Sequence, residues 1–113
     1  MKERRRTPRV NLKRGIIWRG QNTLDNLDQG INISEGGMSF IVNNDQLTVD
    51  DLIQLSFRLP TKKTIQAKAK VKWTLLDQPT GSMQKAGVEF VDVGNPQRQE
   101  IRHFVGVCRY GCD

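Results

Sequence analysis

Nothing in the sequence is apolar for the roughly 20 consecutive residues that a membrane-crossing helix needs. No hydrophobic stretch follows the basic N-terminus as a secretory signal would require, so the expected compartment is the cytoplasm. Histidine occurs once, at His103, and cysteine twice, at Cys108 and Cys112. These three are one ligand short of a closed structural zinc site. A disulfide between the two cysteines would close so short a loop that it would constrain little of the chain. A reduced, structurally minor pair is the expectation. Catalytic signatures are missing too: there is no Gly-x-Ser-x-Gly elbow, no paired-histidine metal motif and no Walker-type phosphate loop. The residues assemble no enzyme, and neither a metal nor a cofactor is expected.

What remains is a 113-residue chain, 36% hydrophobic and 27% charged, the size of one compact domain with its own core. Its formal charge is +6, and the placement says more than the sum. Residues 1–20 hold Lys2, Arg4, Arg5, Arg6, Arg9, Lys13, Arg14 and Arg19 against the single acid Glu3, a net of +7, so the other 93 residues carry −1. A cluster at one end of a chain usually meets an anion: nucleic acid, an acidic membrane face or a small phosphorylated ligand. The competing reading is a tail that merely solubilises.

Residues 1–9 lack apolar periodicity and read as a flexible basic arm. From Val10 the pattern has period two: Val10, Leu12, Ile16 and Trp18 fall on one parity, Asn11, Lys13 and Arg19 on the other. Gly20 to Gly30 reads as a turn or long hairpin connection. Further alternating runs are Met38, Phe40 and Val42; Ile53, Leu55, Phe57 and Leu59; Ile65, Ala67, Ala69, Val71, Trp73 and Leu75; and Ala86, Val88 and Phe90. The period then lengthens. Asn95 can cap a helix, Pro96 suits its first position, and Ile101, Phe104 and Val105 make one apolar stripe that Gly106 can end. Short strands joined by turns, without helices between them, predict an all-β fold, a small antiparallel barrel over 10–92 with one helix over 95–106. Residues 1–113 form a single domain on this reading.

Two segments could bind something. In Arg5-Arg6-Thr7-Pro8-Arg9, Pro8 biases Thr7 toward an extended conformation and presents the arginines on a semi-extended arm. Guanidinium groups bond bidentately to phosphate oxygens and to the O6 and N7 edge of guanine. In Asn32-Ile33-Ser34-Glu35-Gly36-Gly37, alternation puts Asn32 and Ser34 on one face and Ile33 in the core. An amide and a hydroxyl there can meet a base edge and a phosphate oxygen. The glycines permit positive φ and close backbone approach. A tight turn whose polar residues satisfy local backbone groups is the plainer explanation. Asn32-Ile33-Ser34 also fits a glycosylation sequon, which nothing about secretion supports.

An arginine pair at i and i+4 before a first strand, then Asn-x-Ser-x-x-Gly after it, resembles the PilZ family. Arg5 and Arg9 match its Arg-x-x-x-Arg motif, and Asn32, Ser34 and Gly37 its Asp/Asn-x-Ser-x-x-Gly motif. Val71-Lys72-Trp73 and Gly87-Val88-Glu89-Phe90 look similar too, so the resemblance spans essentially the whole chain. It implies a six-stranded split barrel and a non-enzymatic receptor for the bacterial second messenger cyclic di-GMP. Arg5 and Arg9 would engage guanine and phosphate, Asn32 a guanine edge, and Ser34 with the Gly36–Gly37 backbone would complete the cradle. Trp73 would be either a neighbouring apolar wall or a core residue. Arg4 precedes the motif and Arg6 lies within it, and Arg4 resembles the family members that take an intercalated ligand dimer. A downstream protein of the motility or exopolysaccharide machinery is the implied partner. Two other readings stand beside it: a PilZ-like protein-interaction adaptor without ligand, and a nucleic-acid-binding barrel using the same arm. The second is disfavoured by the near-neutral barrel and its lack of an exposed aromatic run.

Overall fold

The computed structural model describes residues 9–20, 26–43, 47–76 and 83–108. The elements are β1 (Val10–Asn11), β2 (Gly15–Arg19), β3 (Asn26–Ser34), β4 (Gly37–Asn43), β5 (Leu52–Arg58), β6 (Thr64–Leu76), β7 (Met83–Val93) and α1 (Asn95–Cys108). All strand pairings are antiparallel, in the order β1-β3-β2-β5-β6-β7-β4, and a further β3–β4 pairing closes β2–β7 into a six-stranded barrel. Strand β1 is the extra piece. It continues the path of β2 along β3, with Leu12 N–H bonded to Ile31 O and Gly30 N–H to Arg14 O between them. Closure leaves the barrel without a free sheet edge.

The alternating residues fill the barrel as their period requires. Leu12, Ile16, Trp18, Ile33, Met38, Phe40, Val42, Ile65 and Val71 are all essentially inaccessible. The Trp18 and Phe40 rings lie 6.5 Å apart, as do those of Phe57 and Phe90. Helix α1 buries its stripe of Ile101, Phe104 and Val105 against the barrel. Gln66 N–H donates to Gln97 Oε1, which ties the start of the helix to β6.

The structure corrects the sequence reading at four places. Asn26–Gly30, expected in a connection, is the first half of β3. Its polar residues hid a strand whose inward position Asp28 is buried as an acceptor, not as an apolar group. Trp18 Nε1 donates to Asp28 Oδ2 at 2.8 Å, and Asn43 donates to Oδ1 through N (3.3 Å) and Nδ2 (3.0 Å). Barrel strand β7 runs to Val93 rather than stopping at residue 92. The helix runs on to Cys108 instead of ending at Gly106, because Gly106 keeps a helical φ and nothing crowds it. Finally, Trp73 and Leu75 do not share the inward face of Val71; they are 44% and 57% exposed. The register shifts between Val71 and Trp73, so Lys72 is an extra residue, and one extra residue turns the rest of the strand over.

Candidate functional site

Arg9 of the arginine motif meets Asn32 of the second motif on the outside of the barrel. Strand β1 pairs with the end of β3 in a register that sets Val10 opposite Ile33 and Asn11 opposite Asn32. The backbone therefore delivers Arg9 to the outer face beside Asn32. Arg9 Nη1 donates to Asn32 Oδ1 at 2.9 Å across 23 residues of sequence. The last residue of the expected arm is thus docked on the motif of β3. Arg4, Arg5 and Arg6 lie outside the described residues.

Asn32 faces outward because of a second irregularity. Gly30 pairs with Phe40 and Asn32 with Ser39, leaving Ile31 unmatched as a bulge. Below the bulge the inward positions are Asp28 and Gly30; above it the inward position is Ile33. Ser34 is less open than Asn32. It is buried, although the unbroken register from Asn32 to Ser34 keeps the two on one face, and its hydroxyl serves the β3–β4 turn: Oγ accepts from Gly36 N–H at 3.3 Å and donates to Gly37 O at 3.4 Å. The glycines also act differently from expectation, since neither has a left-handed φ. Gly37 lets β4 approach β7: a Cβ there would stand closer than 3.0 Å to Val88 O. Gly36 O accepts from Phe90 N–H at 2.8 Å, while a Cβ on Gly36 would meet open space.

The registers of four pairings line up a row across the sheet: Asn11 (β1), Asn32 (β3), Ser39 (β4), Gly87 (β7) and Trp73 (β6). Ser39 Oγ donates to Asn32 Oδ1 at 2.9 Å. The Trp73 indole covers Gly87, where a Cβ would fall within 3.0 Å of three indole atoms. The core tryptophan is Trp18, and Trp73 offers a half-exposed aromatic surface. The row thus runs from a cation (Arg9, at its edge) through amide and hydroxyl groups to an aromatic ring. That sequence of chemistries suits a phosphorylated, planar, polar-edged ligand.

One ion pair joins the motif turn to the helix. Arg102 Nη2 lies 2.6 Å from Glu35 Oε2. The hydrogen bond from Arg102, helped by the charges of Arg102 and Arg98, holds the Glu35 carboxyl below its ordinary pKa against a smaller opposing effect of burial. Ser39, Gly87 and Arg102 were not singled out as site residues in the sequence. Gly87 carries a signal there, as the first residue of the Gly-Val-Glu-Phe segment, whereas Ser39 and Arg102 carry none because their roles depend on register and helix docking. Among the described residues no cluster of three His, Cys, Asp or Glu could hold a metal. His103 is exposed on the helix, and Cys112 lies outside the described residues. No described helix is long and apolar enough to cross a membrane.

Comparison with known proteins identifies the family and the fold. The model of the PilZ domain family matches residues 3–106. The inhibitor of motility of Bacillus subtilis (MotI/DgrA) superposes with a TM-score of 0.83 at 17% identity, over 96% of this chain and 52% of that one. MrkH of K. pneumonia in complex with c-di-GMP gives 0.73 at 20% identity, over 96% of this chain and 53% of MrkH. The PilZ domain of YcgR from Escherichia coli, with c-di-GMP, gives 0.71 at 11% identity, over 96% and 93%. The chain therefore spans about half the length of the first two. No curated protein matches the sequence.

Proposed function

The chain belongs to the PilZ domain family, and from that premise we propose that it is a non-enzymatic receptor for cyclic di-GMP. The observation that carries the reading is the contact of Arg9 with Asn32, which joins the arginine motif to the Asn-x-Ser-x-x-Gly motif at 2.9 Å. Family membership supplies the ligand class, and two of the similar folds bind c-di-GMP by their own descriptions. In this chain Arg5 and Arg9 bind phosphate and guanine, Asn32 meets a base edge, the Gly36–Gly37 backbone borders the cradle, and a base lies against Trp73. Ser34 shapes the turn. Arg4 and Arg6 add charge, and Arg4 favours an intercalated ligand dimer. Ligand phosphates draw Arg9 from Asn32 and neutralise the arm, which orders over the row. The new surface, part protein and part nucleotide, then engages a downstream protein in the cytoplasm.

Calorimetric titration with cyclic di-GMP, a linear guanine dinucleotide and an oligonucleotide tests this. The expectation is saturable binding of the cyclic ligand alone, with the stoichiometry reporting monomer or dimer. Arg5→Ala and Arg9→Ala should each weaken it at least about 10-fold, the loss of a charge-assisted hydrogen bond of about 1.5–3 kcal/mol. Unchanged affinity in both variants would place the site elsewhere. Equal, salt-sensitive binding of the oligonucleotide would make this a nucleic-acid-binding barrel, and no binding of any of the three would make it an adaptor.

A further inference from the structure

Ser39 lies outside both sequence motifs, yet it is the side chain most intimately tied to Asn32. It is nearly buried, at 5% exposure, between the core residues Met38 and Phe40. Its backbone is fixed on both sides, opposite Asn32 of β3 and Gly87 of β7. From there Oγ reaches Asn32 Oδ1 at 2.9 Å, the same oxygen that accepts from Arg9.

A carboxamide can be turned end for end with little change of shape, exchanging one acceptor for two donors, so its partners decide which end faces a ligand. Arginine only donates, and the atom facing Arg9 is therefore the oxygen. Asn32 Nδ2 has no hydrogen-bond partner among the described residues and is the end left over for a ligand. Arg9 cannot be the lasting guard of this orientation, because a phosphorylated ligand competes for its guanidinium. Once Arg9 turns to phosphate, the Ser39 hydroxyl, which can donate to Oδ1 or accept from Nδ2, is the partner that still anchors the amide in the row.

We propose that Ser39 is a positioning residue, which anchors the Asn32 amide in the outer row while Arg9 changes partner. The inference rests on the cyclic di-GMP reading of the site, and it adds the residue that holds one of that site's contacts in place. Two measurements test it. In calorimetry with cyclic di-GMP, Ser39→Ala should bind about 3- to 10-fold more weakly, the worth of one neutral hydrogen bond. In an Asn32→Ala background the same change should cost less than about 2-fold, because Ser39 acts only through Asn32. An equal loss in both backgrounds would overturn the inference. The second measurement needs no ligand: the NMR order parameter of the Asn32 side-chain amide. It should stay high in Arg9→Ala, where Ser39 holds the amide alone, and fall below about 0.6 in the Arg9→Ala, Ser39→Ala double variant. An amide that remains ordered in the double variant would show that Ser39 does not hold it. Failure of the unmodified chain to bind cyclic di-GMP, with this NMR result as expected, would overturn the ligand and leave the hold of Ser39 on Asn32 standing.

Discussion

Replacing Gly87 by alanine tests the aromatic end of the row without touching any group that could bond to a ligand. The Cβ added at Gly87 would fall within 3.0 Å of indole Cε2, Nε1 and Cζ2 of Trp73, distances that real Cβ atoms do not keep. Something must move, and the indole is the freer partner, since it is 44% exposed whereas β4 and β6 pin Gly87 on both sides. The ring should tilt off the sheet. The cost to the fold is that of mild overpacking at a half-open site, about 1 kcal/mol, or about 4 °C in Tm for a domain of this size. The cost to binding is larger. A base stacked on an aromatic side chain is worth about 1–3 kcal/mol, so cyclic di-GMP affinity should fall about 5- to 150-fold. Trp73→Ala should reproduce that loss, and the two changes together should cost no more than either alone. Fluorescence checks the assignment independently, because Trp18 is buried and a ligand stacking in the row quenches Trp73. Wild-type affinity in Gly87→Ala, with Tm lowered as expected, would refute the stacking role of Trp73.

Two further expectations concern the frame around the site. Asp28→Ala leaves Trp18 Nε1 and both Asn43 donors without their acceptor, and should lower stability by about 3 kcal/mol. Thermal unfolding should show a Tm about 10 °C lower, with ligand affinity unchanged where the variant is folded. The Glu35–Arg102 pair should give an acid-sensitive component. The Glu35 pKa is lowered in the folded state, so its contribution is complete above the ordinary carboxylate value and is lost as pH falls through the folded one. The Tm difference between the unmodified chain and Arg102→Gln should be constant above the ordinary carboxylate range and close as the pH falls below it. A difference independent of pH would mean that Arg102 stabilises by packing alone.

The sequence shows the barrel wherever alternation is unbroken. Residues such as Ile16 and Trp18, or Ile53, Leu55 and Phe57, face inward as their parity requires, and the i, i+3, i+4 spacing of Ile101, Phe104 and Val105 sets the helix face. It fails at Asn26–Gly30, where a strand carries a buried aspartate in place of a hydrophobe. Polar composition is then a poor guide, because Asp28 is satisfied by partners as distant in sequence as Asn43. Of the two motifs, the meeting of Arg9 with Asn32 was legible, and Arg5 lies outside the described residues. The division of labour inside the second was not. Ser34 and Gly37 build the turn and the β4–β7 approach, whereas Asn32 meets Arg9 and Ser39 in the outer row.

Why Asn32 and Trp73, of all the residues on their strands, share one outer row follows from the two bulges. Parity carried up from Asp28 and Gly30 would put Asn32 inside, where a carboxamide would need partners that a core of Phe40 and Met38 does not offer. Parity carried along Ala69 and Val71 would likewise bury Trp73 in a barrel already filled by Trp18. Each strand inserts one residue immediately before the side chain in question, Ile31 before Asn32 and Lys72 before Trp73, and each insertion turns that side chain out. Both shifts fall on the same transverse line of the sheet, because Ser39 and Gly87 connect the two residues in register. A single bulge would have exposed an isolated amide or an isolated indole. Two bulges in register set polar and aromatic groups side by side on a surface whose reverse face remains a continuous apolar core, so the barrel can carry a binding row without weakening its packing.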